Sequence, residues 1–296
     1  MIIGVSAIIF FVLRVLPGNP VQVITQGAPT TPGERHNLMV EFGLNKPVLD
    51  QYFLYVWHAL HGNFGASFQT RQPVMTAIGA QTMATVELAA AAMVLTVVFG
   101  VAFGMLSALF HNTWIDSVIR VLSLLGTSMP TIWTGPLLIL LFSFTIHLFP
   151  ANGSGTLSDL VLPAVSLAIF SSGYVIRLVR NSMLEVMGLE FVPALYAKGI
   201  TEKAIWIRHI LRNALMPTVT LLGVQLGSLL SGAVIVESIF GRQGLGSLLI
   251  NAINSKDYPM VQAIVLLVAT AYVAINILVD ISYAYLDPRV RTAMTR

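Results

Sequence analysis

Six long apolar stretches separated by polar loops dominate the pattern of hydrophobic and polar positions along the chain. Their approximate bounds are Ile2–Leu16, Thr82–Leu109, Val118–Phe149, Leu160–Leu178, Ala214–Val236 and Met260–Tyr285. A backbone surrounded by lipid must satisfy its own hydrogen bonds, so each stretch is expected to be a transmembrane helix. The third is too long for one straight span, and Pro130 and Pro136 are expected to break or kink it. The pattern therefore predicts an all-α membrane protein with six transmembrane helices.

The composition also favours a lipid environment. Of the 296 residues, 56% are hydrophobic and only 10% are charged, whereas a soluble domain is typically about 25% charged. The net charge of +3 comes from basic residues in the loops between apolar stretches, so nucleic acid is not an expected partner. The chain contains no cysteine, which excludes disulfides, thiolate metal sites and a cysteine nucleophile.

The N-terminal part of the chain is expected to comprise a short first span, residues 1–16, and a long folded loop, residues 17–81. Such a span reaches about 24 Å, less than the roughly 30 Å of a hydrocarbon core, which suggests that the natural start lies upstream. The loop has helix-like spacing over Val48–Leu60 and enough apolar bulk to fold on the membrane surface. Its large apolar side chains are Phe42, Leu44, Tyr52, Phe53, Tyr55, Trp57, Phe64 and Phe68. Residues 82–296 are expected to form the main transmembrane domain.

The distribution of lysine and arginine indicates the orientation of the chain. Most of the 16 basic residues lie on one side of the expected membrane. They are Arg120, Arg177, Arg180, Lys198, Lys203, Arg208, Arg212, Arg289, Arg291 and Arg296. The other side has Arg35, Lys46, Arg71, Arg242 and Lys256, and Arg14 lies near the outer end of the first span. By the positive-inside rule, both termini and the loop between spans four and five are cytoplasmic, and the long N-terminal loop is extracytoplasmic.

The polar segment between spans four and five, residues 184–213, is the most informative part of the chain. Glu185–Tyr196 and Glu202–Leu211 both fit a helical pattern, and Gly199 lies between them. Glycine adopts positive φ readily and often ends a helix. The pattern predicts a short helix, a turn and a second helix that leads into the membrane at Pro217. Two interpretations remain open on the pattern alone: an ordinary amphipathic connector, or a lever that docks into another protein.

This loop also carries a resemblance to a known family. The segment EFVPALYAKGITEKAIWIRHILRNALMP (Glu190–Pro217) is similar to the EAA coupling loop of binding-protein-dependent ABC importer permeases, in the version found in dipeptide, oligopeptide and nickel permeases. The resemblance continues in order along essentially the whole chain. Other matching segments are LPGNP (Leu16–Pro20), FGLNKPVLDQY (Phe42–Tyr52), HGNFGASF (His61–Phe68), SMPTIWTGPLL (Ser128–Leu138), LPAVSLA (Leu162–Ala168), ESIFGRQGLG (Glu237–Gly246), DYPMVQA (Asp257–Ala263) and LVDISYAYLDPRVR (Leu278–Arg291).

The chain departs from the family pattern at several positions. Many members carry arginine where this chain has Pro193 and Tyr196, and many have proline in place of Gln243. Because proline lacks an N–H and fixes φ, Pro193 is expected to cap or kink the coupling helix. The basic stretch expected before the first span is absent.

The resemblance implies a non-catalytic permease subunit in the bacterial plasma (inner) membrane. The partners it implies are a second homologous permease subunit (a heterodimer), two ABC ATPase subunits and an extracytoplasmic solute-binding protein. The chain contains no GxxxxGK[ST] phosphate-binding motif, so ATP and Mg²⁺ are expected on the ATPase partners, and no cofactor or metal is expected in this chain. The residues implied for the ATPase-coupling loop are Glu190, Ala194, Ala197, Lys198, Gly199, Leu215 and Pro217.

Several residues within the spans are candidates for the translocation pathway or for helix packing. They are Ser128, Met129, Pro130, Gln225 and Asp280. Acids inside a membrane are rare and usually paired or functional, and Asp280 is expected to pair with a basic neighbour at the cytoplasmic edge. Glu87 and Glu237 lie toward the outer ends of their spans, where each could face the pathway or a partner, and exposure at the edge is the expected arrangement.

Two GxxxG motifs lie within the spans, Gly100 with Gly104 and Gly223 with Gly227. Small residues at this spacing allow close helix approach, either within the chain or against a second permease.

Other classes of function are less consistent with the sequence. A stand-alone secondary transporter or channel is the main alternative. It predicts an internal inverted repeat with intramembrane acids or broken helices in both halves, which the sequence does not show. An intramembrane enzyme needs a catalytic set such as HExxH, and none is present. Composition alone does not exclude a scaffold. The solute also stays open, because dipeptide, oligopeptide, glutathione, nickel and metal-chelate permeases share these motifs.

Overall fold

The chain folds as an all-α protein, and the computed structural model describes residues 1–15, 21, 24–25, 31–41 and 45–286. Within those ranges the backbone forms no strand, and an antiparallel bridge joins Ala66 to Pro73. In chain order the helices are α1 (Ile2–Val15), α2 (Pro32–Glu41), α3 (Val48–Leu60), α4 (Val74–Leu109), α5 (Trp114–Ser128), α6 (Thr131–Leu138), α7 (Leu157–Met187), α8 (Phe191–Ala197), α9 (Glu202–Ala204), α10 (Arg212–Ala214), α11 (Met216–Ile239), α12 (Leu245–Asn254) and α13 (Tyr258–Leu286).

Two π-helical segments interrupt this order. One, Ile139–Thr145, continues α6, and the other, Ile205–Leu211, joins α9 to α10. Residues 202–214 are therefore helical throughout, and α11 begins at Met216 after the single residue Leu215.

Four of the helices are long and apolar enough to cross a membrane: α4, α7, α11 and the part Tyr258–Val279 of α13. The third apolar stretch is split, as predicted, because α5 and α6 meet at an angle of 110°. A proline disfavours helical dihedrals in the residue before it, and Met129 is extended with ψ at 120° ahead of Pro130. If α5 and α6 form one bent span, the described residues hold five long spans, and α1 has only 14 residues. The six-span topology stays a prediction.

The helices divide into two compact units. The first comprises residues 1–85 and 243–274, and the second comprises residues 86–242 with the end of α13. The first unit buries an apolar cluster between α1, the start of α4, α12 and the start of α13. Its most buried members include Val74, Ile78, Val261 and Ile264.

Helix α7 is the centre of the second unit. In the most apolar 18 residues of α7, 61% are buried, whereas the corresponding stretches of the other long spans are 22–33% buried. Small residues on α7 and its neighbours allow this burial, because they let helix backbones approach closely. A Cβ at Gly173 would lie 2.5 Å from the Ser123 carbonyl oxygen of α5, and one at Gly104 would lie 2.9 Å from the Ile176 carbonyl oxygen.

Both GxxxG motifs take part in packing within the chain. Gly100 and Gly104 of α4 face Val175 and Val179 of α7. A Cβ at Gly223 of α11 would collide with Val279 of α13. Contacts inside this chain therefore account for three of these four glycines.

Some helix bounds differ from the sequence-based expectation. Helix α4 begins at Val74 rather than Thr82, so the second span extends further into the preceding loop. The prediction of one helix over Glu185–Tyr196 is wrong, because α7 ends at Met187 and α8 begins only at Phe191.

Candidate functional site

Helix α8 begins after a tight turn that ends α7. Gly188 forms the C-cap of α7 and donates its N–H to the Glu185 carbonyl. Pro193 is the third residue of α8, where a backbone N–H has no partner inside the helix. The ring therefore fits in the first turn without removing a helical hydrogen bond, and α8 continues to Ala197.

A Schellman turn ends α8 at Gly199. The Gly199 N–H donates to the Tyr196 carbonyl at 3.0 Å, and the Ile200 N–H donates to the Leu195 carbonyl at 3.3 Å. This pattern requires a left-handed residue after the helix, and Gly199 has φ at +73°. The predicted glycine break is therefore present, and its conformation is one that side chains with a Cβ adopt only under strain.

The inner face of α8 lies on an apolar cluster that joins the ends of several long helices. Val192 is buried, and Leu195 and Ile200 are partly buried against the same cluster. The cluster takes its buried members from α4, α7, α8 and the helical segment 202–214, and they are Ala108, Val175, Val179, Met183, Val186, Val192, Ile205, Trp206, Ile210 and Ala214. A displacement of α8 is thus resisted by packed side chains on the long helices.

The outer face of α8 is apolar and exposed. Phe191 is 37% exposed, Tyr196 is 47% exposed, and Leu189 in the preceding turn is 48% exposed. Ala194 and Ala197 of the same helix are also exposed. A short helix that is packed on one side and apolar on the other fits the groove of a partner protein better than it fits water.

The other predicted coupling residues occupy different positions around α8. Glu190 immediately precedes the helix and makes no side-chain capping bond, and Lys198 is its exposed C-cap. Leu215 lies after α10 and is partly buried in the apolar cluster. Pro217 is exposed in the first turn of α11. Leu215 therefore belongs to the apolar cluster beneath α8, and Pro217 belongs to the start of α11. Neither is part of α8 itself.

A buried ion pair close to this cluster was not anticipated from the sequence. Asp116, at the start of α5, is fully buried, and both of its carboxylate oxygens accept from Arg180 of α7 at 2.7 and 2.8 Å. Ser107 of α4 donates its hydroxyl to the same carboxylate at 2.6 Å, and the Asn112 N–H donates at 3.1 Å. The carboxylate thus joins α4, α5 and α7. The available signal was an acid, Asp116, in the short polar segment between the second and third apolar stretches.

A second buried carboxylate, in the first compact unit, ties the long N-terminal loop to the start of α13. Asp257 accepts from the Ser67 hydroxyl, from the Phe68 N–H at 3.1 Å and from the Met260 N–H at 3.4 Å. Ser67 and Phe68 belong to HGNFGASF, and Asp257 begins DYPMVQA. Two separate segments of the family resemblance therefore meet in space.

The structure places the candidate pathway residues at several levels. Ser128 ends α5, Met129 is its C-cap and Pro130 is the N-cap of α6, so these three form the 110° break. Gln225 is buried within α11. The side chain of Asp280 lies outside the described residues.

Glu87 and Glu237, the two acids near the expected outer ends of their spans, differ in their exposure. Glu87 is half exposed and forms an ion pair with Arg242 at 3.2 Å. Glu237 is fully buried, so the expectation that it lies at an exposed edge is wrong. Among the described residues, no group of three or more His, Asp and Glu side chains could hold a metal ion.

A comparison with protein families identifies the class of this protein. Residues 100–292 match the family model described as "Binding-protein-dependent transport system inner membrane component". The chain belongs to this family. It is a multi-pass membrane protein and the permease component of an ABC importer.

Curated relatives cover almost the whole chain. The dipeptide transport system permease protein DppB of Escherichia coli (strain K12) is 36% identical over 98% of this chain and 94% of its own length. A putative peptide transport system permease protein of Brucella abortus (strain 2308) is 37% identical over 97% of this chain and 94% of its own length. DppB of Lactococcus lactis subsp. cremoris (strain MG1363) is 36% identical, with 95% and 92% covered.

Solved structures show the same fold at lower identity. A chain of the inward-facing MetNI methionine ABC transporter matches with a TM-score of 0.61 and 18% identity, over 72% of this chain and 97% of that one. A chain of an amino acid ABC transporter matches with a TM-score of 0.52 and 18% identity, over 72% and 95%. The shared fold supports the all-helical architecture.

Proposed function

We propose that this subunit forms half of the translocation pathway of a peptide importer and is moved by partner ATPases. The observation that carries the proposal is α8, which exposes apolar side chains while its other face is packed on the long helices. Peptides are the favoured solute because relatives at 36–37% identity over nearly the full length are named as dipeptide or peptide permeases.

The exposed face of α8 is the proposed docking surface for one ATPase subunit. Phe191, Ala194, Tyr196 and Ala197 supply the apolar contact, and Lys198 supplies a charge at its edge. The Schellman turn at Gly199 fixes the angle between α8 and the helical segment 202–214. A rigid turn lets a push on α8 reach the long helices instead of being absorbed in a flexible loop.

Force is proposed to pass from α8 to the spans through the cluster beneath it. Met183, Val186 and Val179 of α7 lie in that cluster, and Arg180 of the same helix holds Asp116. The ion pair links α7 to the start of α5, which leads to the break at Pro130. Rocking of packed helices around a fixed path is one established way to alternate access.

The proposed orientation places α8 in the cytoplasm and the loop tied by Asp257 outside, in the bacterial inner membrane. The positive-inside distribution of lysine and arginine supports it. A second permease subunit is proposed to complete the pathway, and a solute-binding protein is proposed to deliver the peptide to the outer side. Family membership supports the proposal of both partners.

The proposal is tested by reconstituting the complete complex into proteoliposomes with dipeptide, nickel and a nickel chelate as competing solutes. We expect ATP-dependent uptake of the dipeptide only when the binding protein and the ATPases are present. Uphill uptake by this subunit without an ATPase would contradict the proposal and favour a stand-alone secondary transporter. Uptake of nickel in preference to dipeptide would retain the mechanism and replace the solute.

A further inference from the structure

Helix α3, in the loop between the first two spans, carries an apolar stripe that no described residue covers. Leu49, Phe53, Trp57 and Leu60 recur at helical spacing, so they share one face. Their exposed fractions are 62%, 67%, 62% and 77%. This is a large amount of apolar surface for a helix of 13 residues.

The opposite face of α3 is packed, so the stripe is not an unfinished core contact. Tyr52 and Tyr55 place their rings 5.2 and 5.7 Å from the ring of Phe10 in α1. The Tyr55 hydroxyl donates to the Gln262 carbonyl near the start of α13 at 3.4 Å. Burial raises the pKa of Tyr55 to about 12, so the phenol stays protonated and able to donate. These contacts hold α3 against the ends of α1 and α13.

Arg14 marks the level of α3 relative to the membrane. It lies in the last turn of α1, where its guanidinium rests 3.5 Å from the Phe10 ring centroid and donates to the Gln51 side-chain oxygen at 2.7 Å. A charged side chain at the end of an apolar helix places its head at the membrane–water boundary. Gln51, in the first turns of α3, is therefore at that boundary. The hydroxyl of Tyr52 lies 3.1 Å from that of Ser6, about two turns before Arg14 in α1.

The stripe is continuous with the apolar face that α1 presents to its surroundings. Phe11 of α1 is 37% exposed, its ring lies 5.7 Å from that of Tyr52, and Tyr52 in turn lies 5.9 Å from Phe53. In a chain that spans a membrane, the exposed apolar face of α1 contacts lipid or protein within the bilayer. The aromatic series carries the same kind of surface onto α3.

We propose that Leu49, Phe53, Trp57 and Leu60 anchor α3 in the outer membrane interface, with the stripe in contact with lipid. Tryptophan and tyrosine are enriched at this depth, and an amphipathic helix lying in the interface buries its apolar face among acyl chains. His58, which is also exposed on α3 but lies outside the stripe, then faces water. The outer leaflet, rather than the inner, follows from the proposed orientation of the permease.

The test uses the absence of native cysteine, so that each introduced cysteine reports a single position. Phe53→Cys and Trp57→Cys are labelled with a nitroxide in the complete complex in phosphatidylcholine vesicles, and His58→Cys is the matched control. Because Phe53 and Trp57 are exposed, their replacement leaves the packed face intact. We measure collision with oxygen, which concentrates in lipid, and with a water-soluble nickel chelate.

The anchor predicts a ratio of oxygen to chelate collisions several-fold higher at positions 53 and 57 than at position 58. Equal ratios at all three positions would overturn the proposal, because the stripe would then lie in water. Low collision with both reagents at 53 and 57 would also overturn it, since protein would then cover the stripe. An impermeant maleimide on His58→Cys tests the orientation separately: reaction only from the inside would reject the outer leaflet and leave the lipid contact standing.

Discussion

The chain holds its two loop regions by different physical means. On the α8 side, an apolar cluster supports the helix and a glycine turn sets its direction, so the contact is broad and tolerant. On the other side, a single carboxylate, Asp257, collects the Ser67 hydroxyl and two backbone N–H groups. Packing divides the stabilising energy among many weak contacts, whereas a buried carboxylate makes the stability depend on the hydrogen bonds of one group. Both regions also pack apolar side chains, Val192 in one and Phe68 in the other, so the difference lies in the glycine turn after α8 and the carboxylate beside Phe68.

Breaking the buried pair beneath the cluster is expected to have the largest effect. Asp116→Ala leaves Arg180 without its partner in a mostly buried site, which costs about 3–5 kcal/mol of stability. The thermal unfolding of the purified complex measures this loss. Arg120→Ala is the matched control, because Arg120 approaches the same carboxylate at 3.5 Å with a side chain that is 52% exposed. It is expected to change stability by about 0–1 kcal/mol. Equal losses of stability in the two variants would show that the ion pair of Asp116 with Arg180 does not make the expected contribution.

Loss of the hydrogen bonds that Asp257 accepts is expected to have the second-largest effect on stability. Asp257→Asn replaces one accepting oxygen with an amide donor among three hydrogen-bond donors, and it is expected to cost about 1–3 kcal/mol. Limited proteolysis of the segment 61–73 measures whether the loop is released. Asp50→Asn, at an exposed position of α3, is expected to leave the digestion pattern unchanged. Protection of the segment in the Asp257 variant would show that packing alone holds the loop.

The turn after α8 is expected to show a smaller effect on stability and a larger one on transport. Gly199→Val forces a branched side chain into φ at +73°, which costs roughly 1–2 kcal/mol. We expect the complex to assemble and to hydrolyse ATP while peptide uptake falls. Gly188→Ala is the control, because Gly188 has φ at −77° and a Cβ there meets only ordinary contacts. Normal uptake by the Gly199 variant would defeat the idea of a rigid lever.

The exposed face of α8 is expected to show the smallest effect on stability. Tyr196→Ser changes a side chain that is 47% exposed, so folding should shift by no more than about 0.5 kcal/mol. Binding of the ATPase subunit should weaken by roughly 1–2 kcal/mol, as for an aromatic contact residue. Val192→Ala, on the buried face of the same helix, should instead lower stability. Unchanged ATPase binding by the Tyr196 variant would show that the docking surface does not include Tyr196.

Local chemistry allowed part of this structure to be predicted from the sequence. The apolar runs give the long helices, Pro130 gives the break between α5 and α6, and Gly199 gives the turn after α8, because each depends on neighbouring residues alone. The bounds of α7 and α8 were harder to predict, since the residues from Glu185 to Tyr196 fit one continuous helix equally well.

Contacts between distant residues were not predictable in the same way. Asp116 and Arg180 are 64 positions apart, and Ser67 and Asp257 are 190 apart. Nothing in either local sequence specifies its partner. The positive-inside rule assigns basic residues such as Arg180 to one side of the membrane, and it does not consider whether each residue has a counter-ion. Buried polar contacts of this kind follow from the packing of the helices.

Docking of α8 on the ATPase is measured most directly with Ala194→Cys, at an exposed position of α8 in a chain without native cysteine. A membrane-impermeant maleimide is applied to inside-out and right-side-out vesicles, with and without the ATPase subunits. Docking of α8 predicts labelling only from the cytoplasmic side and protection when the ATPase is bound. Labelling from the outside, or labelling that the bound ATPase leaves unchanged, would contradict it.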